Sequence, residues 1–220
     1  KVHKPQIKTV SIENTHLASG GSIVSFDSIK SLSSKIKEYE LNLHVDGARI
    51  WHAILEDSNN KNYGDYCDSL TFCFSKALGA PIGSMLLGSK EFIKEAREYR
   101  KKLGGGMRQV GVIASMANTA LVNRESILED HSKAKKVYEF LSQNFNKGKI
   151  ESIVYQGTNM IFINVKENED PNKLIKIFFN NSINAGLIGE KSVRLVFHKD
   201  IYKEEIDEIS KKLIHSSSEF

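Results

Sequence analysis

Cysteine is scarce in this sequence: Cys67 and Cys73 are the only two in 220 residues. Two thiols cannot make the multi-bridge framework of a small secreted fold, and they fit a reducing, cytoplasmic compartment. Long apolar runs are missing too. None approaches the roughly 20 residues of a membrane-spanning helix, and no signal-peptide pattern is present, so no membrane partner is expected. Charge is nearly balanced, with 31 basic residues against 27 acidic and a net charge of +4. No dense basic stretch is interleaved with aromatics, so no nucleic-acid partner is expected either. Arg97, Arg100, Lys101 and Lys102 share a predicted helix with Glu91, Glu95 and Glu98 and read as a solvated face. Internal repeats and low-complexity segments are absent. There is no initiator methionine; the chain enters at Lys1 just before a strand-like stretch and reads as a piece of a longer protein.

What is present is enough apolar material, 40% of residues, to bury a core. The length suits one large domain, or a core plus a smaller lobe. The run Ile7, Thr9, Val10, Ile12 reads as a strand ending in Glu13-Asn-Thr-His16. Ser25 or Asp27 can cap a helix with apolar positions Ile29, Leu32, Ile36 and Tyr39. Residues 41–45 alternate as a strand that ends in Asp46-Gly-Ala-Arg49. A short helix over 50–55 and a polar loop over 57–61 follow. Residues 67–74 form the strand that leads to Lys76, and 82–87 its antiparallel or neighbouring partner. Ser89 caps a helix that Gly104-Gly-Gly106 ends. Residues 109–123 look like a largely buried helix.

From Glu125 the character changes. We expect residues 1–124 to form part of a large domain, 125–149 a charged linking helix, and 150–220 a small domain. Its pattern is a strand over 150–155, a strand over 160–165, a helix from Pro171, a strand over 193–198 and a helix over 203–215. Residues 216–220 read as a frayed tail.

The chemistry centres on Lys76, between two apolar runs in a segment with Gly79, Pro81 and Gly83. Alone it reads as a loop lysine facing water. Held against apolar walls it would lose hydration, its pKa would fall, and it would become an amine able to form a Schiff base. Asp46 lies 30 residues upstream, about one strand–helix–strand unit. That spacing places a carboxylate and a lysine side by side at one sheet edge, where open α/β sheets build their sites. Pyridoxal phosphate needs this pair: an amine for its aldehyde and a carboxylate to keep its ring nitrogen protonated. An amino-acid substrate also needs an arginine to grip its carboxylate, and Arg49, Arg108 and Arg194 are candidates.

Four stretches carry a resemblance: Ser11-Ile-Glu-Asn-Thr-His16, Leu43-His-Val-Asp-Gly-Ala-Arg-Ile50, Phe72-Cys-Phe-Ser-Lys-Ala-Leu-Gly-Ala-Pro-Ile-Gly-Ser84 and Leu103-Gly-Gly-Gly-Met-Arg-Gln109. Together, in this order and spacing, they resemble the low-specificity L-threonine aldolases of the β-eliminating-lyase branch. The resemblance runs from His3 to about His198. It implies an α/β fold of the aspartate-aminotransferase-like type I, here a partial large domain plus a small C-terminal α+β lobe. It implies pyridoxal 5'-phosphate as cofactor and a β-hydroxy-α-amino acid such as threonine or allo-threonine as substrate, cleaved to glycine and an aldehyde. Under it Lys76 is the Schiff-base lysine and Asp46 the partner of the pyridine nitrogen. Arg49 and Arg194 hold the substrate carboxylate. Arg108 reaches the cofactor phosphate, across a subunit boundary in a homo-oligomer, dimer or tetramer. His3 orients the substrate hydroxyl or relays its proton. No metal site is assigned. The family's phosphate-cradling glycine/threonine loop and its ring-stacking histidine are expected before His3, and this sequence contains neither.

Three other readings stay open at this stage. One is β-elimination of the tryptophanase type. Another is a cofactor-free Schiff-base aldolase, although the two-part layout does not suit eight even barrel units. The third is a non-catalytic structural or oligomerisation fragment.

Overall fold

The computed structural model describes residues 5–56, 62–145 and 148–220, which fall into two units. One holds the described residues up to Thr15 together with Ile23–Arg124; the other holds His16–Ser22 and Glu125–Phe220.

In the first unit, alternating apolar residues make β1 (Thr9–Glu13), β2 (Asn42–Asp46) and β3 (Ser69–Cys73), which run parallel side by side. Helix α1 (Phe26–Lys37) joins the first two. It starts where the Ser25 hydroxyl accepts a hydrogen bond from the Ser28 N–H at 3.2 Å, and it buries Ile29 and Ile36. Leu43 and Val45 on β2 are buried, whereas His44 on the opposite face is half-buried, with Nδ1 2.8 Å from Ser69 Oγ. Helix α2 (Ile50–Glu56) follows β2 directly. The apolar run over 82–87 yields β4 (Ser84–Gly88), antiparallel to β3, so the sheet order is β1-β2-β3-β4. Ser89 caps α3 (Lys90–Lys102), and α4 (Gly111–Val122) completes the unit.

The expectation of a largely buried helix over 109–123 fails here. Helix α4 is apolar along its length, yet Ala117 is its only buried residue; Val112, Met116 and Val122 are exposed. Helix α3 buries none of its residues, and Met85 and Leu87 of β4 are exposed as well. An apolar face is buried only when another element packs on it, and no described element of this unit does so.

The second unit is an antiparallel sheet under three helices. It contains α5 (Ile127–Asn144), β5 (Ile150–Tyr155), β6 (Met160–Val165), α6 (Pro171–Asn180), β7 (Gly186–Ile188), β8 (Ser192–Val196) and α7 (Ile206–Glu219). The strand order is β5-β6-β8-β7. Its core joins Ile161, Ile163, Val193 and Leu195 to Ala134, Val137, Leu141, Phe178 and Leu213 from the helices. Helix α5 is part of this unit, with those three of its side chains fully buried. Pro171 opens α6 beneath an Asp170 cap, whose carboxylate accepts from the Asn172 N–H at 2.9 Å. The other sheet face carries Met160 and Phe162, and residues 16–22 lie on it. Thr158 Oγ1 donates to Gly21 O at 3.1 Å.

The C-terminal residues are helical rather than frayed. Ser216 and Ser217 are buried, and Lys149 Nζ donates to Phe220 O at 2.5 Å, which ties the end down. Strand β7 has no counterpart in the sequence reading, because three residues are too few to show alternation.

Among the described residues of this unit one ion pair is buried. Lys133 Nζ lies 2.9 Å from Asp130 Oδ1 with both side chains almost fully covered, and it also donates to His198 O at 3.3 Å. Burial pushes the Asp130 carboxyl above its ordinary range, against the opposing pull of Lys133.

Candidate active site

Parallel strands end on the same edge, so the residues after them converge there. Asp46 closes β2, in register with Glu13 of β1 and Thr71 of β3. Its side chain is exposed, Oδ1 accepts a 3.1 Å hydrogen bond from the Ala48 N–H, and Oδ2 has no partner among the described residues. Lys76 follows three residues after the end of β3, at the same edge. The neighbouring strands therefore bring a carboxylate and an amine to one row.

Lys76 does not sit against apolar walls. Phe74, Leu78 and Ala80 around it are buried, while Ser75 and Lys76 face outward. The apolar neighbours of the turn bury themselves into the unit and leave the amine in solvent. The apolar surround expected for this amine is not found among the described residues.

Gly47 is the residue that sequence reasoning missed at this edge. Its N–H donates to Thr71 O at 2.8 Å, so the turn after β2 lies hard against β3. A Cβ at Gly47 would lie 2.6 Å from that carbonyl oxygen and 2.9 Å from Ile50 Cβ. The signal was the Asp-Gly step, which reads as an ordinary turn. Gly47→Ala must push backbone apart next to Asp46. It is expected to cost about 1–3 kcal/mol, read as a lower urea midpoint with an unchanged m-value.

Arg49 precedes α2, is half-buried and is engaged by other protein groups. Arg108 is exposed in the turn between α3 and α4. Arg194 lies on β8 of the second unit; its Nε is buried, and no acceptor among the described residues reaches it. His3 lies outside the described residues. His16, at the end of the β1 extension, belongs to the segment of the second unit, where Nδ1 is 2.8 Å from Ser19 Oγ.

Two features in the first unit carry no site chemistry. A cleft of about 630 Å³ under β3 and β4, lined by Trp51, Tyr63, Cys67, Phe72 and Leu87, includes none of these candidates. Burial, then the charge of Asp68, pushes the Cys67 thiol up, which disfavours the reactive thiolate, and Sγ donates to Tyr63 O at 3.2 Å.

The donor set suits pyridoxal phosphate. A carboxylate with one oxygen oriented by a backbone N–H and the other unpartnered can hold a protonated ring nitrogen. The solvent-facing amine next to it can take an aldehyde.

Comparison with known proteins bears on the family of this chain. The profile of the beta-eliminating lyase family matches residues 1–167. A low-specificity L-threonine aldolase of Candida albicans is 36% identical over 217 residues, covering 97% of this chain and 55% of its own. One from Escherichia coli K12 is 36% identical over 211 residues, covering 95% and 60%. The chain thus spans little more than half the length of these relatives. Among solved structures, a threonine aldolase from Leishmania major superposes with a TM-score of 0.75 at 18% identity, covering 96% of this chain and 61% of that one. The fold is therefore that of the type I pyridoxal-phosphate enzymes, in part. No helix among the described residues is long and apolar enough to cross a membrane. With three quarters of its length matched by the family profile, the chain belongs to the beta-eliminating lyase family.

Proposed function

We propose that the full-length enzyme, a chain of the relatives' length containing this sequence, cleaves β-hydroxy-α-amino acids such as threonine or allo-threonine to glycine and an aldehyde. The observation that carries this reading is the placement of Asp46 and Lys76 at the same edge of adjacent parallel strands. The names of the relatives support the choice of reaction.

When bound, pyridoxal phosphate supplies the electron sink for the pair released as the Cα–Cβ bond breaks. The protein does the rest. The Lys76 Nζ would hold the cofactor through its aldehyde. The Asp46 carboxylate keeps a proton on the ring nitrogen. Arg49 and Arg194 hold the substrate carboxylate through parallel N–H donors, which fixes which bond at Cα stands ready to break. Arg108 binds the phosphate. His3 orients the β-hydroxyl and takes its proton or relays it. We place the enzyme in the cytoplasm as a homo-oligomer, a dimer or tetramer. The exposed apolar side chains of α3, α4 and β4 support a reading in which further polypeptide packs there. We also propose a domain division at 1–124, 125–149 and 150–220.

The test is product analysis of the full-length enzyme with L-threonine and the cofactor. Glycine and acetaldehyde in equal amounts support the reading. Pyruvate and ammonia from a β-substituted amino acid, with no glycine from threonine, would assign β-elimination instead. Residues 1–220 alone, assayed in parallel, show whether this piece is catalytic. Asp46→Asn is expected to lower kcat by about 10²–10⁴ without changing the unfolding midpoint, because the carboxylate faces solvent. Steady-state kinetics beside a melting curve check both halves.

A further inference from the structure

Arg194 has two register partners in its sheet, Phe162 on β6 and Gly186 on β7. Residues directly opposite in antiparallel strands share a face, so all three point the same way. Phe162 is almost fully buried and occupies its own side. The guanidinium leans the other way: a Cβ built on Gly186 would lie 3.7 Å from Arg194 Nη2.

We propose that Gly186 is a positioning residue whose missing side chain gives the Arg194 guanidinium its seat. This rests on Arg194 being the ligand of the substrate carboxylate. The backbone does not require glycine here, since Gly186 is not among the glycines with positive φ. The requirement is space. A separation of 3.7 Å is ordinary van der Waals contact, so a methyl fits and a longer side chain competes with the guanidinium for the same volume. Arg194 has no ion-pair partner among the described residues, and its Nε is buried without an acceptor. Among the described residues no carboxylate fixes the guanidinium, which leaves packing over Gly186 to set where its N–H groups stand. A carboxylate ligand needs them in one plane and one place to make two parallel bonds.

The test uses the full-length enzyme with Gly186→Val, Gly186→Leu and Arg194→Ala. KM and kcat are measured with L-threonine, and dissociation constants by calorimetry with glycine and with ethanolamine, an amine that lacks the carboxylate. Valine suits a strand, so at least one variant should fold, and a melting curve verifies it. The expected result for Gly186→Leu is a KM and a glycine dissociation constant raised about tenfold, kcat within about threefold, and ethanolamine binding unchanged. Gly186→Val should lie between it and the parent. A structural role alone would move glycine and ethanolamine together, and that outcome overturns the proposal. Normal KM in both Gly186 variants, with a raised KM in Arg194→Ala, overturns it while leaving the role of Arg194 intact. Normal KM in Arg194→Ala refutes the carboxylate reading itself.

Discussion

Lys76→Ala in the full-length enzyme is expected to lower kcat for threonine cleavage by on the order of 10⁴ while leaving the unfolding midpoint in place. The two halves of this result come from different observations. The large kinetic loss follows from chemistry, since among the described residues no other lysine shares the strand-end row with Asp46. The unchanged stability follows from exposure. Lys76 faces outward in its turn, and the apolar residues that hold the turn, Phe74, Leu78 and Ala80, are untouched by the substitution. A variant that unfolds would show Lys76 to be part of the core, contrary to the structure. Adding a small primary amine to the assay is a useful control. Partial rescue would show that the missing element is the amine itself rather than the shape of the turn.

Lys133→Met has the largest expected effect on stability. It leaves the buried Asp130 carboxylate without its cation and frees the His198 carbonyl from its 3.3 Å donor. Breaking a buried pair from one side costs about 3–5 kcal/mol at neutral pH. The sign of the pH dependence follows from the raised folded-state pKa of Asp130. Between the ordinary carboxylate value and the raised one, the folded protein keeps a proton that the unfolded chain has lost. Stability therefore falls as pH rises through that window. Without Lys133 the window extends upward, so the variant should recover part of its loss when the pH is lowered from about 7.5 to about 5. Urea unfolding at both pH values measures this. The double variant Asp130→Leu/Lys133→Met should be more stable than Lys133→Met alone, because no unpaired charge remains buried.

Much of the first unit was legible because its signals are local. Ser25, one of two candidate caps, and Ser89 cap their helices, and the strands that end at Asp46 and lead to Lys76 lie where they were expected. The spacing from Asp46 to Lys76 correctly implied neighbouring strands. The features that escaped depend on what is packed against what. Apolar composition says that α4 would gain from burial, but not which polypeptide covers it, and here no described element does. Asp130 and Lys133 lie in a stretch read only as a charged linking helix; the packed helix shows that the face carrying them is the inner one. Gly47 looked like a turn glycine, and its closeness to the β3 carbonyl is a tertiary fact. The exposure of Lys76 belongs to the same class. The apolar letters around it were real, but they pack inward rather than against it.

The central claim is that the Lys76 amine carries the cofactor aldehyde. Borohydride reduction of the full-length enzyme in the presence of pyridoxal phosphate, followed by peptide mapping, tests it directly. The account predicts one labelled peptide, with the pyridoxyl group on Lys76. Label on any other lysine, with Lys76 unmodified, would contradict it.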